Sequence, residues 1–199
     1  MKIIGLTGNS GSGKTAVCDI LRPFGAYIID ADKIARDVVE PGEAAYVELV
    51  NCFGTGILHK DGTLNRKKLA GIAFPDGEKR RRLTAVTHKH IIARMMEEAE
   101  RIRANPDGYR FIVFDAPLLV EAGLHKVVSE VWLVHAPEET KMRRIIARDG
   151  LTADEALARL NAQPSFETLA AYADRIIEND GNLGTLKSQV EEAAKQIVL

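Results

Sequence analysis

The sequence predicts an α/β fold, a three-layer core around a five-stranded parallel sheet, with two helical excursions from it. Three observations predict this. Residues 2–29 read strand, glycine-rich turn, helix, strand, which opens a βαβ unit and therefore a parallel sheet. Two later runs, Phe111-Ile112-Val113-Phe114 and Val131-Trp132-Leu133-Val134, are apolar without alternation, the form of strands covered on both faces. Between these early and late strands, residues 33–105 carry few strand signals and a stripe at helical spacing.

The first strand spans Lys2–Thr7, and the first helix runs from Lys14 to Pro23 with Ala16, Val17, Ile20 and Leu21 at helical spacing. Ala26–Ile29 is the second strand, and it runs into Asp30-Ala31-Asp32. In the first excursion Leu83, Thr87, Ile91, Met95, Ala99 and Ile102 recur every three or four residues, which predicts a long amphipathic helix. Asn105-Pro106-Asp107-Gly108 stops it. The strand at 111–114 ends in Asp115. After the strand at 131–134 comes a second excursion rich in arginine, at Arg143, Arg144 and Arg148. Arg175-Ile176-Ile177 is a short fifth strand, and Leu183–Val198 a closing helix. The whole reads as one domain, with core segments 1–32, 108–137 and 172–199 and excursions at 33–107 and 138–171.

The 199 residues suffice for a sizeable core. With 27 basic and 28 acidic residues the net charge is −1, so no global field draws in nucleic acid or an anionic membrane, and phosphate recognition has to be local. Cys18 and Cys52 stand alone, which predicts neither a disulfide framework nor a zinc site. No run reaches the roughly 20 apolar residues of a spanning helix. The expectation is a cytoplasmic chain with a small-molecule substrate and no nucleic-acid or membrane partner, as a monomer or weak homo-oligomer.

The strongest chemical signal is Gly8-Asn9-Ser10-Gly11-Ser12-Gly13-Lys14-Thr15, which fits G-x-x-x-x-G-K-[ST] between a strand and a helix, the context of a P-loop. Glycines let successive N–H groups turn toward an anion at a helix N-terminus, where the dipole already favours negative charge. Gly11, Ser12, Gly13, Lys14, Thr15 and Ala16 are the expected ATP contacts. Lys14 reaches the β- and γ-phosphates, and the Thr15 hydroxyl is the expected Mg²⁺ ligand. Phosphoryl transfer further needs a group that orients or deprotonates the acceptor hydroxyl. Asp32, just past a strand end one strand from the P-loop, is the candidate base. An N-cap role competes, above all for Asp30.

Asp115 reads either as a carboxylate holding Mg²⁺ through water or as a strand-end turn residue before Pro117. Arg144 and Arg148 are i,i+4 and share a helix face. Over the phosphates they neutralise developing charge; otherwise they form a solvated basic face with Glu138 and Glu139 as nearby partners. Asp61-Gly62-Thr63-Leu64 marks a turn, and Arg66-Lys67-Lys68 adds local positive charge for a substrate phosphate or for solvent. His88 and His90 lack metal-ligand spacing and read as polar or substrate-contacting positions.

Several of these segments together resemble the dephospho-CoA kinase family, P-loop enzymes that complete coenzyme A synthesis, over nearly the whole chain. The opening Ile4-Gly5-Leu6-Thr7-Gly8 through Thr15 matches the family's start. Asp30-Ala31-Asp32-Lys33-Ile34-Ala35-Arg36 with Pro41-Gly42 resembles its D-A-D-x-[IV]-[AS]-R…P-G signature, the most discriminating match. Asp61 to Arg66 resembles D-G-x-[IL]-[DN]-R, and Pro117-Leu118-Leu119 with Glu121 resembles P-L-L-x-E. Arg144 to Asp149 resembles the family's lid, Arg159 and Gln163 the helix after it, and Ala173 to Gly181 its A-D-x-[IV]-[IL]-x-N-x-G.

The resemblance implies a P-loop kinase fold in which 33–107 is a helical substrate region and 138–171 a helical lid. It implies transfer of phosphate from ATP to the ribose 3′-hydroxyl of dephospho-CoA, with Asp32 as base and Lys14 and Arg144 as catalytic cations. Arg144 and Arg148 contact ATP, and Arg36, Arg66, His88, Pro117 and Leu118 fall on the substrate side. The chain departs from the pattern at Lys89, where the family usually has proline after the histidine, and at Asn9-Ser10, where an apolar second loop residue is common. The nearest rival is another small-molecule or nucleotide kinase of this architecture. A regulatory nucleotide switch fits less well, since the chain has no N-K-x-D.

Overall fold

The computed structural model describes residues 1–198. Five strands, β1 (Ile3–Thr7), β2 (Ala26–Asp30), β3 (Phe111–Asp115), β4 (Glu130–His135) and β5 (Arg175–Glu178), form one parallel sheet in the order β2-β3-β1-β4-β5. β1 lies between β3 and β4, with Leu6 level with Asp115 and with Trp132. The two continuous apolar runs thus become β3 and β4, on either side of β1. All five residues of β1 and the first four of β3 are buried.

Nine helices occur among the described residues: α1 (Lys14–Leu21), α2 (Ala31–Asp37), α3 (Ala44–Phe53), α4 (Arg66–Ala73), α5 (Gly77–Ala104), α6 (Glu138–Asp149), α7 (Ala153–Asn161), α8 (Phe166–Ala170) and α9 (Leu183–Val198). One core cluster joins Ile4 and Leu6, Val113, Trp132 and Ile177 from the sheet to Val17 and Leu21 of α1 and Val190 and Ala194 of α9. Each valine, leucine or isoleucine among them contributes roughly 1.5–3 kcal/mol when fully buried. Ile3, Ile112, Phe114, Val131 and Leu133 are buried as well, so the sheet is covered on both faces.

α1 ends at Leu21, earlier than the expected Pro23, because Pro23 belongs to a 3-10 turn, Arg22–Phe24, that Gly25 closes. The expected long helix is the 28-residue α5. Its burial is strongest at Met95, Ala99 and Ile102; Leu83, Thr87 and Ile91 are half-buried, and Val86, off the expected stripe, is buried. The Asn105–Gly108 stop places Asp107 and Gly108 at φ 44° and 85°, where a helix cannot continue.

The chain forms two compact units. Met1–Ile29 with the chain from Arg101 onward contains the sheet and α6–α9, and Asp30–Glu100 contains α2–α4 and most of α5. Within the first, Ile145, Ala156 and Leu160 make a small core between α6 and α7. No helix among the described residues is long and apolar enough to cross a membrane.

Candidate active site

The turn after β1 is shaped by contacts on its outer side. Gly11 and Gly13 adopt φ 78° and 97°, the left-handed region that favours glycine. Neither has room for a side chain. A Cβ on Gly11 would lie 2.7 Å from Lys141 O, and one on Gly13 would lie 2.1 Å from Asn179 Nδ2. Lys14 Nζ donates to Gly8 O at 3.0 Å, so the ammonium spans the loop it belongs to. Thr15 and Ala16 follow in the first turn of α1, with Thr15 exposed.

Arg144 on α6 is bound to this loop. Nη1 donates to Gly11 O at 3.0 Å and Ser12 O at 3.3 Å, and Nη2 donates to Asn179 Oδ1 at 3.0 Å. Asn179 Nδ2 donates to Ser12 O at 2.8 Å. The turn after α7 holds the other side. Gln163 Oε1 accepts from Ser10 N at 3.0 Å, Gln163 Nε2 donates to Ser10 Oγ at 3.3 Å, and Asn9 Nδ2 donates to Pro164 O at 3.0 Å. The polar Asn9-Ser10 pair therefore serves to dock this turn.

Asn179 and Gln163 received no role from their residue types. Their partners lie 167 and 153 positions away along the chain, and only the family resemblance pointed to them, Gln163 through the helix after the lid and Asn179 through the terminal signature. Arg148 makes a different contact from Arg144. It pairs with Asp149 through two 2.8 Å bonds, and Arg159 reaches the same carboxylate. The Arg148 bonds, with Arg159 adding, hold the Asp149 carboxyl down at about 2. The carboxylate beside Arg148 is therefore Asp149 and not Glu138 or Glu139.

Asp115 ends β3 and accepts from Cys18 Sγ at 3.7 Å, while burial and the Asp115 charge push the Cys18 thiol far up. Cys18 is thus a packed, protonated thiol. Pro117 O accepts from Thr7 Oγ1 at 3.3 Å, next to the loop, and Leu118 is half exposed.

The second unit carries the remaining residues. Asp30 is the N-cap of α2 and accepts from Lys33 N at 3.0 Å, a contact of about 1 kcal/mol. The capping role falls to Asp30, and Asp32 stands exposed in the first turn of α2. Asn65 caps α4 by accepting from Lys68 N at 2.9 Å, which points Arg66 at the end of α2. There Arg66 Nη2 donates to Arg36 O at 3.0 Å and Nη1 to Ala35 O at 3.5 Å. His88 lies half-buried on α5. Glu48 takes bonds from its two successors instead, Lys89 at 3.2 Å and His90 at 2.8 Å, and these lower the Glu48 carboxyl.

The set offers backbone amides and a lysine to a polyphosphate. Among the described residues no group of three or more His, Cys, Asp or Glu gathers as a metal site. The exposed Thr15 hydroxyl and the half-buried Asp115 are hard oxygen donors, the kind Mg²⁺ takes once or twice while substrate phosphates and waters fill its other positions. The residues present fit that ion.

A family model described as dephospho-CoA kinase matches residues 2–185. A curated dephospho-CoA kinase of Carboxydothermus hydrogenoformans is 40% identical over 190 residues, 96% of this chain and 91% of that protein. Among solved structures, TT1252 from Thermus thermophilus is 34% identical with a TM-score of 0.81, covering 98% of this chain and 97% of that one. A dephospho-CoA kinase from Campylobacter jejuni is 25% identical with a TM-score of 0.71, covering 98% and 96%. A phosphate loop braced on both sides, the Asp30–Arg36 signature on its own helix and matches along almost the full length agree: the chain belongs to the dephospho-CoA kinase family.

Proposed function

We propose that this chain transfers the γ-phosphoryl group of ATP to the ribose 3′-hydroxyl of dephospho-CoA, giving coenzyme A and ADP. The observation that carries the reading is the family match across 2–185, supported by a G-x-x-x-x-G-K-[ST] loop whose Gly11 and Gly13 stand at positive φ.

In this reading Gly11, Ser12, Gly13, Lys14, Thr15 and Ala16 hold the donor phosphates. Lys14 leaves the Gly8 carbonyl for the β- and γ-phosphates, and Arg144 adds charge beside the loop it already touches. Arg148 exchanges Asp149 for phosphate oxygen. Thr15, with Asp115 through water, would hold Mg²⁺, which when bound would neutralise charge on the phosphates. Because Asp30 does the capping, the Asp32 carboxylate is available to accept the proton of the acceptor hydroxyl as its oxygen attacks phosphorus. Arg36, Arg66, His88, Pro117 and Leu118 bind the acceptor. The enzyme works in the cytoplasm as a monomer or weak homo-oligomer.

The test is mass-spectrometric detection of coenzyme A from dephospho-CoA, ATP and Mg²⁺, with ADP release measured across acceptors. Stimulation by dephospho-CoA is the expected result. Stimulation by a nucleoside monophosphate or a sugar in its place overturns the assignment.

A further inference from the structure

The carbonyl of Ser12 is gripped twice, by Asn179 Nδ2 at 2.8 Å and by Arg144 Nη1 at 3.3 Å. Among the described residues no peptide bond is cis. The N–H of Gly13 therefore points opposite to the Ser12 carbonyl, since both belong to one planar trans peptide. Gly13 is the N-cap of α1, so its amide stands with the unpaired donors that make a helix N-terminus an anion site. Whatever fixes the Ser12 carbonyl fixes the direction of that amide.

Asn179 is built to do so. It is 4% exposed, and its own N–H donates to His135 O at 2.7 Å, which ties its backbone to the end of β4. Its Oδ1 accepts from Arg144 Nη2 at 3.0 Å, so one amide group orients the loop carbonyl with its nitrogen and the lid arginine with its oxygen. A Cβ on Gly13 would strike the same Nδ2, so loop and side chain are fitted to each other.

We infer that Asn179 is a positioning residue of the phosphate site. Acting through the Ser12–Gly13 peptide and through Arg144, it aims the Gly13 amide at the donor phosphate chain. The inference rests on the proposed donor role of the loop.

The test compares Asn179→Asp with Asn179→Ala, reading tripolyphosphate affinity by calorimetry and the KM for each substrate. Asp keeps the volume and the acceptor for Arg144 but sets an oxygen against the Ser12 oxygen, so the peptide turns away. Ala loses both bonds without repulsion. Tripolyphosphate affinity is expected to fall about tenfold in N179A and further, on the order of a hundredfold, in N179D, since a charged unpaired oxygen costs more than a missing bond. The KM for ATP rises in the same order, and the KM for dephospho-CoA stays put.

A packing role alone predicts the reverse order, because Asp fills the space that Ala leaves empty. N179D binding tripolyphosphate as tightly as the unsubstituted chain, or more tightly than N179A, overturns the inference. Should both variants fail to fold, NMR of the unsubstituted chain decides it. The Asn179 side-chain amide protons are expected to exchange slowly, and the Gly13 amide to shift downfield with tripolyphosphate. Exchange at the solvent rate, or an unmoved Gly13 amide, overturns it. Absence of coenzyme A formation by the unsubstituted chain removes the proposed acceptor while leaving these measurements able to decide the role of Asn179.

Discussion

The phosphate loop and the proposed acceptor residues of the second unit are held by opposite means. In the loop, three carbonyls take side-chain partners: Gly8 O takes Lys14, Gly11 O takes Arg144, and Ser12 O takes Arg144 and Asn179. Asp32, Arg36 and Arg66 are exposed, and Arg66 donates to the carbonyls of Ala35 and Arg36 near the end of α2. The difference teaches where rigidity is needed. In the proposed reading phosphate is bound by backbone amides, whose direction only a fixed backbone can hold. An acceptor hydroxyl is met by a side chain, whose chemistry survives some motion until the ligand orders it.

If that contrast is right, a substitution on the acceptor side leaves ATP binding alone, and one in the loop weakens it. The largest expected effect is Asp32→Asn. Loss of a general base lowers kcat by roughly 10²- to 10⁴-fold, with the KM for ATP held within about threefold. Steady-state kinetics in both substrates reads the split. Nearly intact turnover removes Asp32 from the chemistry.

Gly13→Ala comes next. The Cβ meets Asn179 Nδ2 at 2.1 Å from a backbone at φ 97°, so clash and strain act together. ATP affinity is expected to fall roughly a hundredfold, at a strain of about 1–3 kcal/mol plus the displaced contact. Titration of ATP by calorimetry measures it. Unchanged affinity means the loop tolerates movement and the contrast fails on its rigid side.

What was legible in the sequence follows the same division. Apolar runs without alternation gave the central strands, because burial on both faces writes itself into adjacent residues. The P-loop was legible because its glycines, lysine and threonine are neighbours in sequence. The competing cap reading at Asp30 and Asp32 needed only the helix start to be resolved between them. The bracing of the loop was not legible, since a lone Asn179 or Gln163 looks like any surface amide until the fold brings it across more than 150 residues. The i,i+4 spacing likewise put Arg144 and Arg148 on one face, yet their partners differ because Asp149 adjoins Arg148 whereas Arg144 meets the loop.

A smaller effect is expected from Arg66→Ala. Removing a cation from the acceptor side should raise the KM for dephospho-CoA about tenfold at low salt, with less effect at high salt. The ATP KM is expected to stay constant. A rise in both constants would mean that Arg66 supports the fold of its unit through the end of α2 rather than meeting the acceptor.

The smallest effect belongs to Asp149 and concerns pH. Its carboxyl is lowered from the usual 3.8 to about 2 by the Arg148 bonds first, then by the charge of Arg148 and the contact with Arg159. A group depressed in the folded state binds its proton less readily there than in the unfolded chain. Its contribution is therefore complete above about pH 4 and is lost as pH falls toward 2. The pair is solvent-screened, so the contribution is minor. Many carboxylates titrate in the same window, and the useful quantity is the difference between the melting curves of the unsubstituted chain and Asp149→Asn. That difference should be constant from neutral pH to about pH 4 and close as pH falls toward 2. A difference that persists unchanged to pH 2 would mean Asp149 supports the α6–α7 corner by hydrogen bonding its neutral form satisfies equally well.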